Sequence, residues 1–445
     1  MTLPTTPDVA IIGAGPAGIG TAVALEAIDV EFVVLERDCI GASFRQWPEE
    51  MRLLTPSFPA NAFGVRDLNA ITLDTSPALA LDCEHPTGDQ YADYLEAVAA
   101  FHDLPIHAGI EVDRVVPNRS ASPDPSRDVE PDTSRFTLET TEGPIESEYV
   151  VWAAGQYGYP SNGSIPGAEH AVHVSTVDSW AAYAERWSAD RSGDAAESPS
   201  TTEPDRSGRQ RVAADGAGAA GPITDDIVIV GGAESGIDAA LGLVDAGCSV
   251  TVLDDDGPWQ YRSPDPSEVL SPRTSERLEA ALTDGRALDL VTGARADAID
   301  RTQTGPVRTD DDGYVVRTTA GDWFRSRAPP LLATGFDGSL ALVEDLFDYG
   351  SGEGDEEEDM ERNGSPELTD RDESTETPGL FLTGPQVAHD GQKFCFIYKF
   401  RQRFAVVAET IGDRLGVDTG PLEAYREKQM FLEDLECCDP DYCDC

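Results

Sequence analysis

Two short runs in this chain have the residue types and spacing to hold a pyrophosphate. Gly13-Ala14-Gly15-Pro16-Ala17-Gly18 follows the apolar run Val9-Ala10-Ile11-Ile12 and precedes an alanine-rich stretch, Ile19 to Ala27. In a strand–turn–helix unit the first glycine permits the tight turn and the second lets the backbone approach the phosphates. The third lets helix and strand pack closely, and the N–H groups of the helix start attract the anion. Glu36 closes the next apolar run eighteen positions after Gly18, where a carboxylate accepts hydrogen bonds from ribose hydroxyls. The second run, Gly231-Gly232-Ala233-Glu234-Ser235-Gly236, follows Ile227-Val228-Ile229-Val230 and carries alanine at the middle position. Asp254 stands eighteen positions after Gly236, the same interval, which argues against coincidence. Asp254, Asp255 and Asp256 would repel a 2′-phosphate and favour NADH over NADPH. Arg262 could neutralise such a phosphate, and in so acidic a chain a carboxylate run is often only surface.

Other segments carry weaker signals. Val150 to Gly155, with Ala154 and Gly155 at its end, and Leu331 to Gly335 each finish an apolar run with small residues. Such endings let the chain pass close to a cofactor and cross between domains. Gly379 to Pro385 repeats the pattern at Gly384 and leads toward a helix expected from about Phe396 to Ile411. His389 could act as acid or base at neutral pH, though a loop histidine with no chemistry is the commoner case. Cys437, Cys438, Cys443 and Cys445 crowd the C-terminal tail. They could bind a soft metal, relay electrons, or do neither.

These pieces need particular elements to position them. Two strand–glycine turn–helix–strand starts more than two hundred residues apart predict an α/β chain of two Rossmann-like, three-layer domains, the second inserted into the first. The expected boundaries are 1–160 with 331–435 for the first domain and 161–330 for the second. Stretches over 117–134, 188–222 and 350–377 are rich in Ser, Pro, Gly, Asp and Glu and read as disordered acidic insertions, and 436–445 as a Cys-rich tail. The formal charge is −51, from 83 acidic and 32 basic side chains, with lysine only at Lys393, Lys399 and Lys428. This suits a halophile's surface and opposes nucleic acid and anionic membranes as partners. No stretch approaches the ~20 apolar residues of a membrane span, and no signal peptide is evident, so a cytoplasmic protein is expected. The scattered Cys39, Cys83, Cys248 and Cys395 do not suggest a disulfide-stapled fold.

The order of motifs resembles the two-dinucleotide-binding-domain flavoproteins, among them thioredoxin reductases and flavin-containing monooxygenases. The resemblance implies FAD on the first unit and NAD(P)H on the second. It places Gly13, Gly15, Gly18, Glu36 and Arg37 at the ADP half of FAD, and Val112, taken as the end of an apolar strand, against the adenine. Trp47, Thr55 and Gly384 would lie near the flavin, with Thr55 and His389 as catalytic candidates. Gly231, Ala233, Ser235 and Gly236 would hold the nicotinamide nucleotide. The thioredoxin-reductase C-x-x-C is missing. Ile229 to Ala240 and Gly155-Gln156-Tyr157-Gly158 also resemble the bacillithiol-disulfide-reductase family, whose redox cysteine falls at Ala17 here. Ser43 to Trp47 and Leu53 to Pro56 resemble the flavin-facing segment of monooxygenase-like proteins, although the full F-x-G-x-x-x-H-x-x-x-W/D motif is absent. The leading expectation is a monooxygenase-like oxidoreductase acting on a small-molecule substrate with O₂. The alternatives are a disulfide or metal reductase using the cysteine tail, and a non-enzymatic dinucleotide-loaded sensing module. A homodimer is compatible with all three.

Overall fold

The computed structural model describes residues 3–59, 66–118, 135–188, 227–261, 263, 266–302, 313–349 and 365–435. Arg262, the cysteine tail and most of the expected insertions lie outside the described residues. Ten strands build two parallel sheets: β1 (Val9–Ile12), β2 (Phe32–Glu36), β3 (Ile106–Ala108), β4 (Tyr149–Trp152), β5 (Val172–His173), β6 (Ile227–Val230), β7 (Val250–Leu253), β8 (Leu288–Val291), β9 (Leu331–Leu332) and β10 (Leu380–Leu382). The sheet orders are β10-β4-β1-β2-β3 and β8-β7-β6-β9-β5. Within each, every pairing is parallel. Strands β1, β4, β6 and β7 and the edge strand β10 are buried along their length. That burial is why they read as unbroken apolar runs rather than alternating ones.

The principal helices are α1 (Pro16–Glu26), α2 (Gly88–Phe101), α3 (Glu234–Asp245), α4 (Pro272–Thr283) and α5 (Phe404–Leu415). Residues Ala17 to Leu25 of α1 are all buried. Its Gly20 lies where a Cβ would overlap the Phe404 ring of α5, and Gly242 of α3 meets the Trp180 ring in the same way. Each helix therefore packs closely because it has a bare position facing an aromatic ring. A three-stranded antiparallel sheet completes each unit, from Val112–Pro117, Phe136–Thr140 and Ile145–Ser147 in the first and Ala296–Thr302, Gly313–Thr318 and Trp323–Ser326 in the second.

The chain divides into two compact units, 1–45 with 55–159 and 337–445, and 46–54 with 160–336. The short excursion 46–54 joins the second unit for a local reason. Glu50 caps the helix Trp180–Ser188, accepting from Ser179 Oγ at 2.8 Å, Trp180 N at 3.0 Å and Ala181 N at 3.1 Å. Burial works against charge on Glu50, but these donors hold it below the usual carboxylate range.

The expectation of a disordered acidic insertion over 350–377 is corrected for residues 365–377. Asp372 is fully buried and takes Arg403 Nε at 2.9 Å and Nη2 at 3.0 Å. Glu373 takes Arg414 through both oxygens, at 2.6 and 2.7 Å. Burial opposes charge on Glu373, yet Arg414 and the Gly379 N–H hold it below the usual carboxylate range. Paired charges of this kind can be buried. Asp348 and Glu367 form an antiparallel bridge, and Ser374 Oγ donates to Leu346 O at 2.7 Å.

Candidate functional site

In the first unit the glycine loop sits at the C-terminal ends of β1 and β4. Gly13 has φ 105°, a region open to glycine alone. Its N–H donates to Leu35 O at 2.8 Å, and a Cβ there would collide with the Ala153 carbonyl. A Cβ on Gly18 would overlap Gly13 O. Gly15, in contrast, has nothing within 4 Å of its missing Cβ, so the start of α1 leaves room for a phosphate. Pro16 occupies the first turn, where an N–H has no partner within the helix. Glu36 accepts from Ala14 N at 2.7 Å and Asp38 N at 2.8 Å. Arg37 Nη1 donates to Tyr159 OH at 3.3 Å, its guanidinium lying 5.8 Å from that ring's centroid. A Cβ on Gly384 would lie 3.2 Å from that of Ala17, so the loop after β10 rests on the first turn of α1. Gly155 O accepts from Ser339 N at 3.0 Å, and Ser339 Oγ from Trp152 Nε1 at 3.0 Å.

The second unit repeats the frame. Gly231 has φ 101° and donates to Leu253 O at 2.8 Å; a Cβ on it would collide with Ala333 O, and one on Gly236 would overlap Gly231 O. Asp254 accepts from Gly232 N at 2.6 Å, Asp256 N at 3.0 Å and Gly257 N at 2.7 Å. Glu234 opens α3 but turns its carboxylate onto Ser271 N and onto Thr274 Oγ1 at 2.6 Å. Burial raises its pKa, with those donors acting the other way. Gly335 O is taken by Ser161 N and His173 Nε2, each at 3.0 Å.

The structure thus brings Gly13, Gly15, Gly18, Glu36, Ala154, Gly155 and Gly384 to one end of the first sheet. It brings Gly231, Ala233, Ser235, Gly236, Asp254 and Gly335 to the corresponding end of the second. The other candidates lie elsewhere in the two units. Val112 opens an antiparallel strand paired with Thr140 rather than ending one. Trp47 falls in the second unit and Thr55 in the first, where Thr55 O accepts from Asn69 Nδ2 at 2.8 Å. His389 Nε2 lies 2.6 Å from Asp372 Oδ1, beside the buried Asp372–Arg403 pair. Sequence reasoning missed Trp259, whose Nε1 donates to Gly232 O at 2.9 Å. Its signal was the interval, five residues after Asp254, as Gly41 is five after Glu36. Among the described residues no group of His, Cys, Asp and Glu could hold a metal, and Cys39, Cys83, Cys248 and Cys395 form no disulfide. No described helix is long and apolar enough to cross a membrane.

The two glycine loops, each with a carboxylate closing the following strand, define an oxidoreductase fold built to hold two dinucleotides. Residues 10–187 and 217–384 match the model of the pyridine nucleotide-disulphide oxidoreductase family. The chain belongs to that family, and its cofactors are FAD and NAD(P)H. Solved structures agree on the fold. Bacillithiol disulfide reductase from Staphylococcus aureus matches at TM-score 0.60 and 18% identity, over 92% of this chain and 99% of that one. Flavin-containing monooxygenase from Stenotrophomonas maltophilia gives 0.58 and 13%, with the same coverage. Ornithine N-hydroxylase from Kutzneria sp. 744 gives 0.59 and 16%, over 92% and 100%.

Proposed function

We propose that the protein is a monooxygenase-like member of its family, with FAD on the first unit and the nicotinamide nucleotide on the second. Its final electron acceptor on this reading is dioxygen or a small molecule rather than a disulfide. When bound, FAD supplies a two-electron centre between NAD(P)H and that acceptor. The residues of this chain supply position. Gly13 and Gly18 keep the loop tight, Gly15 leaves space at the start of α1, and Glu36 orders the Ala14 amide at the ribose edge. The observation that carries the reading is Ala17. The resemblance to the bacillithiol-disulfide-reductase family would put a redox thiol at this position, and here a methyl group packs beside Gly384.

A second reading, disulfide reduction through Cys437, Cys438, Cys443 and Cys445, is favoured by the match to a disulphide-oxidoreductase family. The test is made on protein purified in molar salt. Anaerobic NADH or NADPH should bleach the flavin absorbance, and readmitted air should sustain nucleotide oxidation. Under the proposal, replacing Cys437 and Cys438 with serine leaves that oxidation unchanged; its loss in the variant favours the cysteine relay. A protein that stays colourless when supplied with FAD overturns both readings.

A further inference from the structure

We infer that Ser339 is a positioning residue of the flavin site, a buried clip between the two segments that wall the first glycine loop. This rests on the placement of FAD on the first unit. One wall is the end of β4, where the Ala153 carbonyl fills the space a Cβ on Gly13 would need. The other is the loop after β10, where Gly384 meets Ala17. Strands β4 and β10 pair from Leu380 to Leu382, and Thr383 N then donates to Trp152 O at 3.0 Å. The pairing ends there, and Ser339 takes over. Its N–H donates to Gly155 O at 3.0 Å. Its hydroxyl accepts from Trp152 Nε1 at 3.0 Å and donates to Gln386 Oε1 at a long 3.5 Å. The Gln386 amide is seated where a Cβ on Gly338 would collide with it. One residue thus bonds both walls just past the point where the sheet stops joining them.

A hydroxyl accepts and donates at once, and here both capacities are used. Ser339 and Trp152 are 0% and 2% exposed, so water does not stand in for a lost partner. The residues before Ser339 extend the contact toward the end of β2. Asp337 N donates to Tyr159 O at 2.9 Å, and Tyr159 OH accepts from Arg37 Nη1 at 3.3 Å. The turn 337–339 therefore meets the segments after β4 and β10 directly, and the segment after β2 through Tyr159. In an open parallel sheet the ligand lies beyond the carboxyl ends of the strands, which is where this turn sits. Ser339 itself is enclosed, so it acts through the segments it holds. Its effect belongs to how tightly and in what setting the flavin is held.

The experiment compares the intact, flavin-loaded parent with Ser339→Ala and Gln386→Met in molar salt. Dilution followed by free-flavin fluorescence gives the FAD dissociation constant, and visible circular dichroism at saturating FAD reports the setting of the bound ring. Ser339→Ala is expected to weaken FAD by about 10-fold, the scale of one buried hydrogen bond, and to alter the visible circular dichroism. Gln386 is half-buried, so Gln386→Met should leave the thermal midpoint in place while weakening FAD about 3-fold. A parent-like dissociation constant in a folded Ser339→Ala overturns the inference whatever its spectrum. Weakened FAD with an unchanged spectrum overturns it too, since a merely structural loss gives that result. If Ser339→Ala does not fold, Gln386→Met decides by the same two readings. Gly18→Val tests the placement underneath. Flavin retained by that variant overturns the placement and the inference together. Flavin lost by Gly18→Val but held normally by Ser339→Ala overturns the inference alone.

Discussion

In the first glycine loop the Ala14 carbonyl accepts from the backbone of Gly41 at 3.0 Å; in the second, the Gly232 carbonyl accepts from the indole of Trp259 at 2.9 Å. The acceptor is the same, and the donor comes five residues after the strand-closing acid in both. Around it the peptide geometry is shared. Gly13 and Gly231 bond the neighbouring strand at the same distance, and Gly18 and Gly236 sit over the first glycine of each loop. Side chains supply the differences. Gly15 is bare where Ala233 has a methyl group, and neutral Pro16 stands where Glu234 brings a carboxylate and then turns it away. The frame thus follows from the need to satisfy each buried peptide group. What each loop accepts depends on the few positions where that need can be met in more than one way.

The units differ most in their buried ions, and there the largest effect is expected. Asp372→Ala strands Arg403, whose side chain is 1% exposed, and should cost about 3–5 kcal/mol, read as a lower denaturant midpoint. Asp238→Ala in the second unit should cost about 1 kcal/mol or less, because Arg277, 32% exposed, can turn to water. Equal losses would erase the contrast. Next come the packing glycines. Gly18→Val should abolish flavin retention, by on the order of 100-fold or about 2.7 kcal/mol, seen as loss of yellow colour. Gly236→Val should leave the colour and remove bleaching by the nicotinamide nucleotide. Loss of both properties in either variant would break the proposed division of labour. Trp259→Phe should cost about 1–3 kcal/mol by leaving the Gly232 carbonyl unpaired, measured as a lower thermal midpoint.

The smallest effect concerns acid. Glu373 is held below its unfolded pKa of about 4.3. Its contribution is therefore complete above that value and is lost as pH falls through the lower folded pKa. Arg414→Met should move the acid-unfolding midpoint slightly upward in a circular-dichroism titration.

Local signals made much of this legible. The glycine spacings, the apolar strands and the eighteen-residue interval locate both loops, because they depend on neighbours in sequence. The packing of 365–377 was not legible. Asp372 finds Arg403 thirty-one residues on and Glu373 finds Arg414 forty-one on, and local composition registers only their acidity. Glu234 escaped in the same way, since Ser271 and Thr274 lie 37 and 40 residues away. Val112 was misplaced because a turn at Gly109, with φ 79°, ends one strand and lets an antiparallel one begin.

The bridge between Asp348 and Glu367 is the first of a short series. Leu368 faces Ser374, Glu373 faces Phe381, and Leu382 N donates to Asp372 O at 2.9 Å. The run from Glu367 to Ser374 is thus fastened at one end to Asp348 and at the other to β10. The buried pair of Asp372 and Arg403 therefore also anchors the outermost strand of the first sheet.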